Sequence, residues 1–170
     1  MIGDLERDLA NLKLKLRHFQ EEEVRQHLLR AQQSAEISGS PGVQAFTYIT
    51  WARLYDRLAR AASEREKGTR HQQREYMQQS LEQALQLVEK EQEDHDHPMR
   101  QTMCFVDTAQ LAQRHGMSVD GQRLQHAAQN CLTYGYGHQA EKLLAMPDIH
   151  SWLPEDVRRN LVNLLQEEKS

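Results

Sequence analysis

The chain has 170 residues, enough for one domain with a buried core. Apolar residues make up 38 % and charged residues 27 %, and Gln occurs 20 times. This composition suits exposed helices, because Gln, Glu, Arg, Lys, Leu and Ala lose little entropy in a helix. The net charge is −4, from 21 basic and 25 acidic residues without a dominant block of one sign, which disfavours sequence-independent nucleic-acid binding. The two cysteines, Cys104 and Cys131, are no disulfide framework. No stretch is apolar enough for a membrane span and no basic start precedes an apolar run, so the expected location is the cytoplasm by default.

The first segment carries the most regular pattern. Ile2, Leu5, Leu9, Leu12, Leu16 and Phe19 recur at alternating steps of three and four, the a and d positions of a heptad. Glu6 and Lys13 then fall at e, and Asp8 and Lys15 at g. Such a seam in residues 1–19 either packs on the rest of the chain or joins a second copy, which makes Leu5, Leu9, Leu12, Leu16 and Phe19 the candidate self-association residues of a homodimer. The charges allow a parallel partner through Asp8 and Lys13, or an antiparallel one through Asp8 and Lys15.

After Phe19 the apolar positions shift to Val24, Leu28, Ala31 and Ala35, which means a stutter in one helix or a break near Gln20. Gly39 suits the end of this segment, Ser40 the N-cap of the next and Pro41 its first turn. A helix is predicted from about Val43 to Glu66, with Phe46, Ile49, Trp51, Ala52, Tyr55, Leu58 and Ala62 as its apolar positions. Lys67-Gly68-Thr69 reads as a turn. A fourth helix carries Met77, Leu81, Ala84, Leu85 and Val88 and ends near Glu93.

Asp94-His95-Asp96-His97 interrupts the pattern, and Pro98 opens a helix bearing Met99, Met103, Val106, Ala109 and Ala112 that ends at His115-Gly116. Asp120 caps a helix with Leu124, Ala127, Ala128, Cys131 and Leu132, which Gly135 and Gly137 close. A short helix around Ala140, Leu143 and Leu144 follows, then a loop from Met146 to Pro154 and a last helix with Val157, Leu161, Leu164 and Leu165. No segment sustains period-2 alternation, so no sheet is predicted.

Two helix pairs within 43–134 carry a resemblance. Tyr48, Trp51-Ala52 and Tyr55 show the large, large-small and aromatic spacing of a first repeat helix, and Met77, Leu81 and Ala84 stand for its second. Phe105, Thr108-Ala109 and Ala112, followed by Gly121, Gln125 and Ala128, form a weaker second pair. Together they resemble a degenerate tetratricopeptide repeat over about half the chain. Departures are Gln125 at a bulky apolar position and Ala52 and Ala84, which stand 13 residues farther apart than Ala109 and Ala128.

The fold expected is all-α, a single helical domain over 1–170 of about seven helices, arranged as a short tetratricopeptide-like solenoid or an irregular bundle. The resemblance implies a groove lined by Phe46, Ile49, Arg53 and Arg57 in one repeat and by Met103, Val106, Gln110 and Arg114 in the next. Ile49 stands at a polar position of the carboxylate clamp of some chaperone-binding members, so capture of a peptide C-terminus is not expected.

Catalytic and metal signals are weak. Asp94-His95-Asp96-His97 has ligand-type side chains, but four adjacent residues cannot all turn onto one ion, and a solvated loop accounts better for them. The histidines are scattered without a spaced ligand pair, and there is no phosphate loop, nucleophile elbow or paired-carboxylate signature. Cys104 and Cys131 lie on apolar helical faces as packing residues. The chain is therefore expected to be no enzyme and to need no cofactor or metal. The expected function is protein–protein interaction, as an adaptor, chaperone or regulatory subunit. The alternative is a nucleic-acid- or transcription-linked role for the Arg-rich face at 53–74, carried by Arg53, Arg57, Arg60, Arg65, Arg70 and Arg74 but diluted by Asp56, Glu64, Glu66 and Glu75.

Overall fold

The computed structural model describes residues 2–92 and 97–168. Those residues form nine α-helices and one 3-10 turn, with no strand among them. The chain divides into two compact units, 1–87 and 88–170.

In the first unit α1 (Ile2–Lys15), α2 (Glu21–Ser38) and α3 (Pro41–Ala61) pack against one another. The heptad pattern breaks as a true break: α1 stops at Lys15, and Gln20 is the N-cap position of α2. Gly39 ends α2 at φ 67°, a left-handed conformation that L side chains rarely adopt, and Ser40-Pro41 starts α3. The three helices enclose Ala10, Leu14, Val24, Leu28, Trp51 and Leu54, with Phe19, Tyr55 and Leu58 packed at the margin.

α1 enters this core by its small face. Gly3 sits so close to α2 that a Cβ there would lie 2.5 Å from the Ser34 Cβ, and Ala10 and Leu14 are buried. The heptad leucines point the other way: Leu5, Leu12 and Leu16 are 61 %, 60 % and 56 % exposed. Leu9 is half-buried, and Phe19 leaves the seam altogether, lying beyond the end of α1 against the core. Polar ties fix this rotation. Glu6 meets the rings and guanidinium of His27 and Arg30 on α2, and Lys13 pairs with Glu23 at 2.8 Å. On the other flank Asn11 donates to the Thr50 Oγ1 of α3 at 3.2 Å.

α3 ends at Ala61, five residues before the predicted limit at Glu66. Ser63 and Glu66 form a reciprocal capping box around a 3-10 turn (Glu64–Glu66). α4 (Lys67–Glu91) then begins at once, so Lys67-Gly68-Thr69 is a first helical turn instead of a loop.

In the second unit α5 (Pro98–Arg114), α6 (Gly121–Tyr134), α7 (Gly137–Leu144), α8 (Ile149–Trp152) and α9 (Glu155–Glu168) surround α6, which touches all the others. Phe105, Val106, Leu124, Ala127, Ala128, Cys131, Ala140, Leu143 and Leu161 are buried. The Asp120 carboxylate accepts from the Gln122 N–H at 2.9 Å and caps α6 as read from the sequence. Gly135 closes α6 at φ 72°, but Gly137 opens α7 and is buried. The predicted loop from Met146 to Pro154 contains α8, whose Ile149 and Trp152 turn inward. Asp107 on α5 and Lys142 on α7 pair at 2.5 Å.

Two outcomes follow for the first unit. Trp51 is 8 % exposed at the centre of the three-helix core. Trp51→Ala should cost about 3–5 kcal/mol in urea unfolding; an unchanged midpoint would remove the indole from the core. The Glu6 carboxyl is held below its usual range, chiefly by its hydrogen bond with His27. A depressed acid contributes stability above its unfolded pKa and loses it as pH falls through the folded value. The advantage of wild type over Glu6→Gln should therefore be present at about pH 5–6 and disappear on acidification below about pH 4. An advantage that persists in acid would contradict the pairing.

Candidate interaction surfaces

The first predicted groove lies on α3, and the chain's own α1 covers most of it. The Arg7 guanidinium sits 5.4 Å from the centroid of the Phe46 ring. Ile49 is buried. Arg53 donates to the Asn11 Oδ1 at 3.0 Å. Arg57 donates to the carbonyls of Leu14 at 2.7 Å and Leu16 at 3.0 Å, while its guanidinium stacks 5.0 Å from the Phe19 ring. Those carbonyls lie at the end of α1, where helical acceptors lack an intrahelical donor, so Arg57 caps α1 from a neighbouring helix.

The second predicted set lies on α5 and is divided. Val106 is buried in the core, Met103 and Gln110 are half-buried, and Arg114 is exposed. Met103 lines a cleft of about 400 Å³ together with Pro98, Met99, Tyr136, His97 and Arg100. Met99 is 62 % exposed there, a large apolar side chain left in water. Tyr134 stacks on Tyr136 with ring centroids 5.5 Å apart. Burial pushes the Tyr136 phenol above its ordinary pKa, so it stays a neutral donor. Sequence reading assigned Met103 to a surface but missed Met99 and Tyr136; the i, i+4 pair Met99 and Met103 beside an aromatic turn was the available signal.

The Arg-rich stretch is largely tied up. Besides Arg53 and Arg57, Arg60 pairs with Asp56, and Arg70 donates to the Ala62 carbonyl at 2.6 Å. Arg65 and Arg74 are exposed. Asp94, His95 and Asp96 lie outside the described residues, and His97 is the N-cap position of α5. Among the described residues no three His, Cys, Asp or Glu side chains gather as a metal site. Both cysteines are buried, and burial pushes the Cys131 thiol up to about 12, which keeps it protonated and unreactive. No helix among the described residues is long and apolar enough to cross a membrane.

Known families, curated proteins and solved structures offer no match to this chain.

Arg57 is the group whose loss most directly frees α1. Arg57→Lys should destabilise the first unit by about 1–3 kcal/mol, because one ammonium cannot span both carbonyls and stack on Phe19. The exposed control Arg74→Lys should leave the urea midpoint unchanged. Equal behaviour of the two variants would show that the cap contributes nothing.

Proposed function

We propose that the chain is a protein–protein interaction module, an adaptor, chaperone or regulatory subunit that holds a partner in a groove between its helices. The observation that carries this reading is the cleft of Pro98, Met99, Met103 and Tyr136. It is apolar, open to water and edged by His97 and by Arg100, whose guanidinium pairs with Glu91 at 2.9 Å. Methionines suit such a surface because their flexible, polarisable side chains adapt to varied apolar anchors. The partner element that fits is a helix or extended segment presenting one large apolar side chain.

The tetratricopeptide-like reading supports the same function. Ala52, Ala84, Ala109 and Ala128, the small residues of the repeat pattern, are all buried. On that reading α1 fills the groove of the first pair, through Phe46, Arg53 and Arg57, and leaves the α5 face with Met103, Gln110 and Arg114 for a partner. A second copy of the chain is one partner this module can take. Catalysis has no part in the proposal, and the module works in the cytoplasm. On the Arg-rich face of the nucleic-acid alternative Arg53, Arg60, Arg65 and Arg74 are exposed, with Arg53 held by Asn11 and Arg60 by Asp56.

Affinity capture from the native host should retain a partner on wild type and lose it on the Met99→Glu, Met103→Glu double variant. Both side chains reach water, so this variant should keep wild-type circular dichroism. Retention of the same partner by the variant would remove the cleft from the proposal. Titration with duplex DNA at two salt concentrations should give no binding with a steep salt slope; such a slope would favour the Arg-rich face instead.

A further inference from the structure

We infer that the leucine strip of α1 is a self-association surface, and that two copies of the chain join there with their α1 helices antiparallel. The inference rests on the protein-interaction reading and names a second copy as one partner. Its basis is the rotation of α1. The helix is anchored by Gly3, Ala10 and Leu14, and so displays Leu5 and Leu12, with Leu16 just past its end, to water, and Leu9 lies at the edge of the strip. Leu5 and Leu12 on one face of α1, and Leu16 directly after its last residue, are each more than half exposed and form an apolar strip with no cover from α2 or α3.

The strip is complementary to itself under a two-fold rotation. Leu5 then faces the partner's Leu16, and Leu9 faces the partner's Leu12, with each contact made twice. The flanking charges follow the same symmetry. Asp8 and Lys15 lie on one edge of the strip, seven residues or ~10.5 Å apart along the helix. Rotation brings Asp8 opposite the partner's Lys15 and Lys15 opposite the partner's Asp8, giving two ion pairs of opposite sign.

The fold decides against the parallel arrangement that the sequence also allowed. A parallel pair needs Lys13 for the partner's Asp8. Lys13 is held by Glu23 of α2 at 2.8 Å, and this contact keeps the Glu23 carboxyl below its usual range. Glu6, on the same edge as Lys13, is engaged by His27 and Arg30. The Asp8 and Lys15 edge faces away from α2: Asp8 meets its chain neighbour Arg7 at 3.3 Å but keeps its side chain 63 % exposed, and that edge is self-complementary in the antiparallel sense alone. A two-helix contact of this length is small beside the ~1,200–2,000 Å² of stable interfaces, so the dimer is reversible and its population rises with concentration.

Sedimentation equilibrium of the full chain tests the inference. Wild type should pass from monomer to twice the monomer mass as concentration rises. The triple variant Leu5→Ser, Leu12→Ser, Leu16→Ser should stay monomeric with unchanged circular dichroism and Tm, since these side chains lie outside the core. Asp8→Lys and Lys15→Asp should each weaken association by about tenfold, because each replaces two attractive pairs with two repulsive ones. The double exchange Asp8→Lys, Lys15→Asp should restore it. In a parallel dimer Lys15→Asp would be silent and the double exchange as weak as Asp8→Lys, which would overturn the antiparallel geometry. A wild type that is monomeric at all concentrations would overturn self-association itself. That result would leave the partner-binding reading standing, because the Met99 and Met103 variants test it separately.

Discussion

The rotational setting of α1 governs the first unit. Gly3 allows its backbone against Ser34, Ala10 and Leu14 fill the space above Val24 and Trp51, and polar contacts lock both flanks. Arg57 completes the lock by holding the Leu14 and Leu16 carbonyls and the Phe19 ring with one guanidinium. A turn of α1 by half a revolution would bury four leucines and gain apolar area. It would also break the contacts of Glu6, Asn11 and Lys13 and bring branched side chains to the place where only Gly3 fits. Close backbone packing with satisfied polar flanks outweighs the larger leucines.

This setting has two consequences for the surface. It closes the α3 face, because Phe46, Arg53 and Arg57 become partners of α1. It also turns a strip of leucines outward, flanked on one edge by the exposed Asp8 and Lys15. In the second unit a different surface is left over. Met99, Met103 and Tyr136 frame an apolar cleft where α5 begins, and the partner-binding proposal rests there. Both surfaces are apolar faces that helices keep after their core contacts are made, which is how interaction modules differ from closed bundles.

Much of the helix plan was legible because caps are local. Gly39, Ser40-Pro41, Asp120 and Gly135 each act within a few residues, and all stand where the sequence put them. The start of α4 was misread because Gly68 reads as a breaker, while the capping box of Ser63 and Glu66 had already begun a new helix. α8 is too short for periodicity to register, and its reason for existing is the burial of Ile149 and Trp152. The heptad told which residues of α1 share a face, but not which face is buried. That choice depends on Gly3 meeting Ser34 and Asn11 meeting Thr50, contacts more than 30 residues apart in sequence that leave no local mark. For the same reason the α3 groove was assigned to a partner when α1 occupies it, and the cleft was glimpsed only through Met103.

The most direct test of α1's setting is thiol labelling of two single-cysteine substitutions on it. Leu12→Cys and Leu14→Cys lie two residues apart on opposite faces, and the native Cys104 and Cys131 are buried and serve as an internal reference. At concentrations low enough to keep the chain monomeric, Cys at position 12 should react as fast as an exposed thiol. Cys at position 14 should be protected like the native pair until denaturant is added. Protection at 12 with rapid labelling at 14 would mean that the leucine seam is the buried face and would contradict the account.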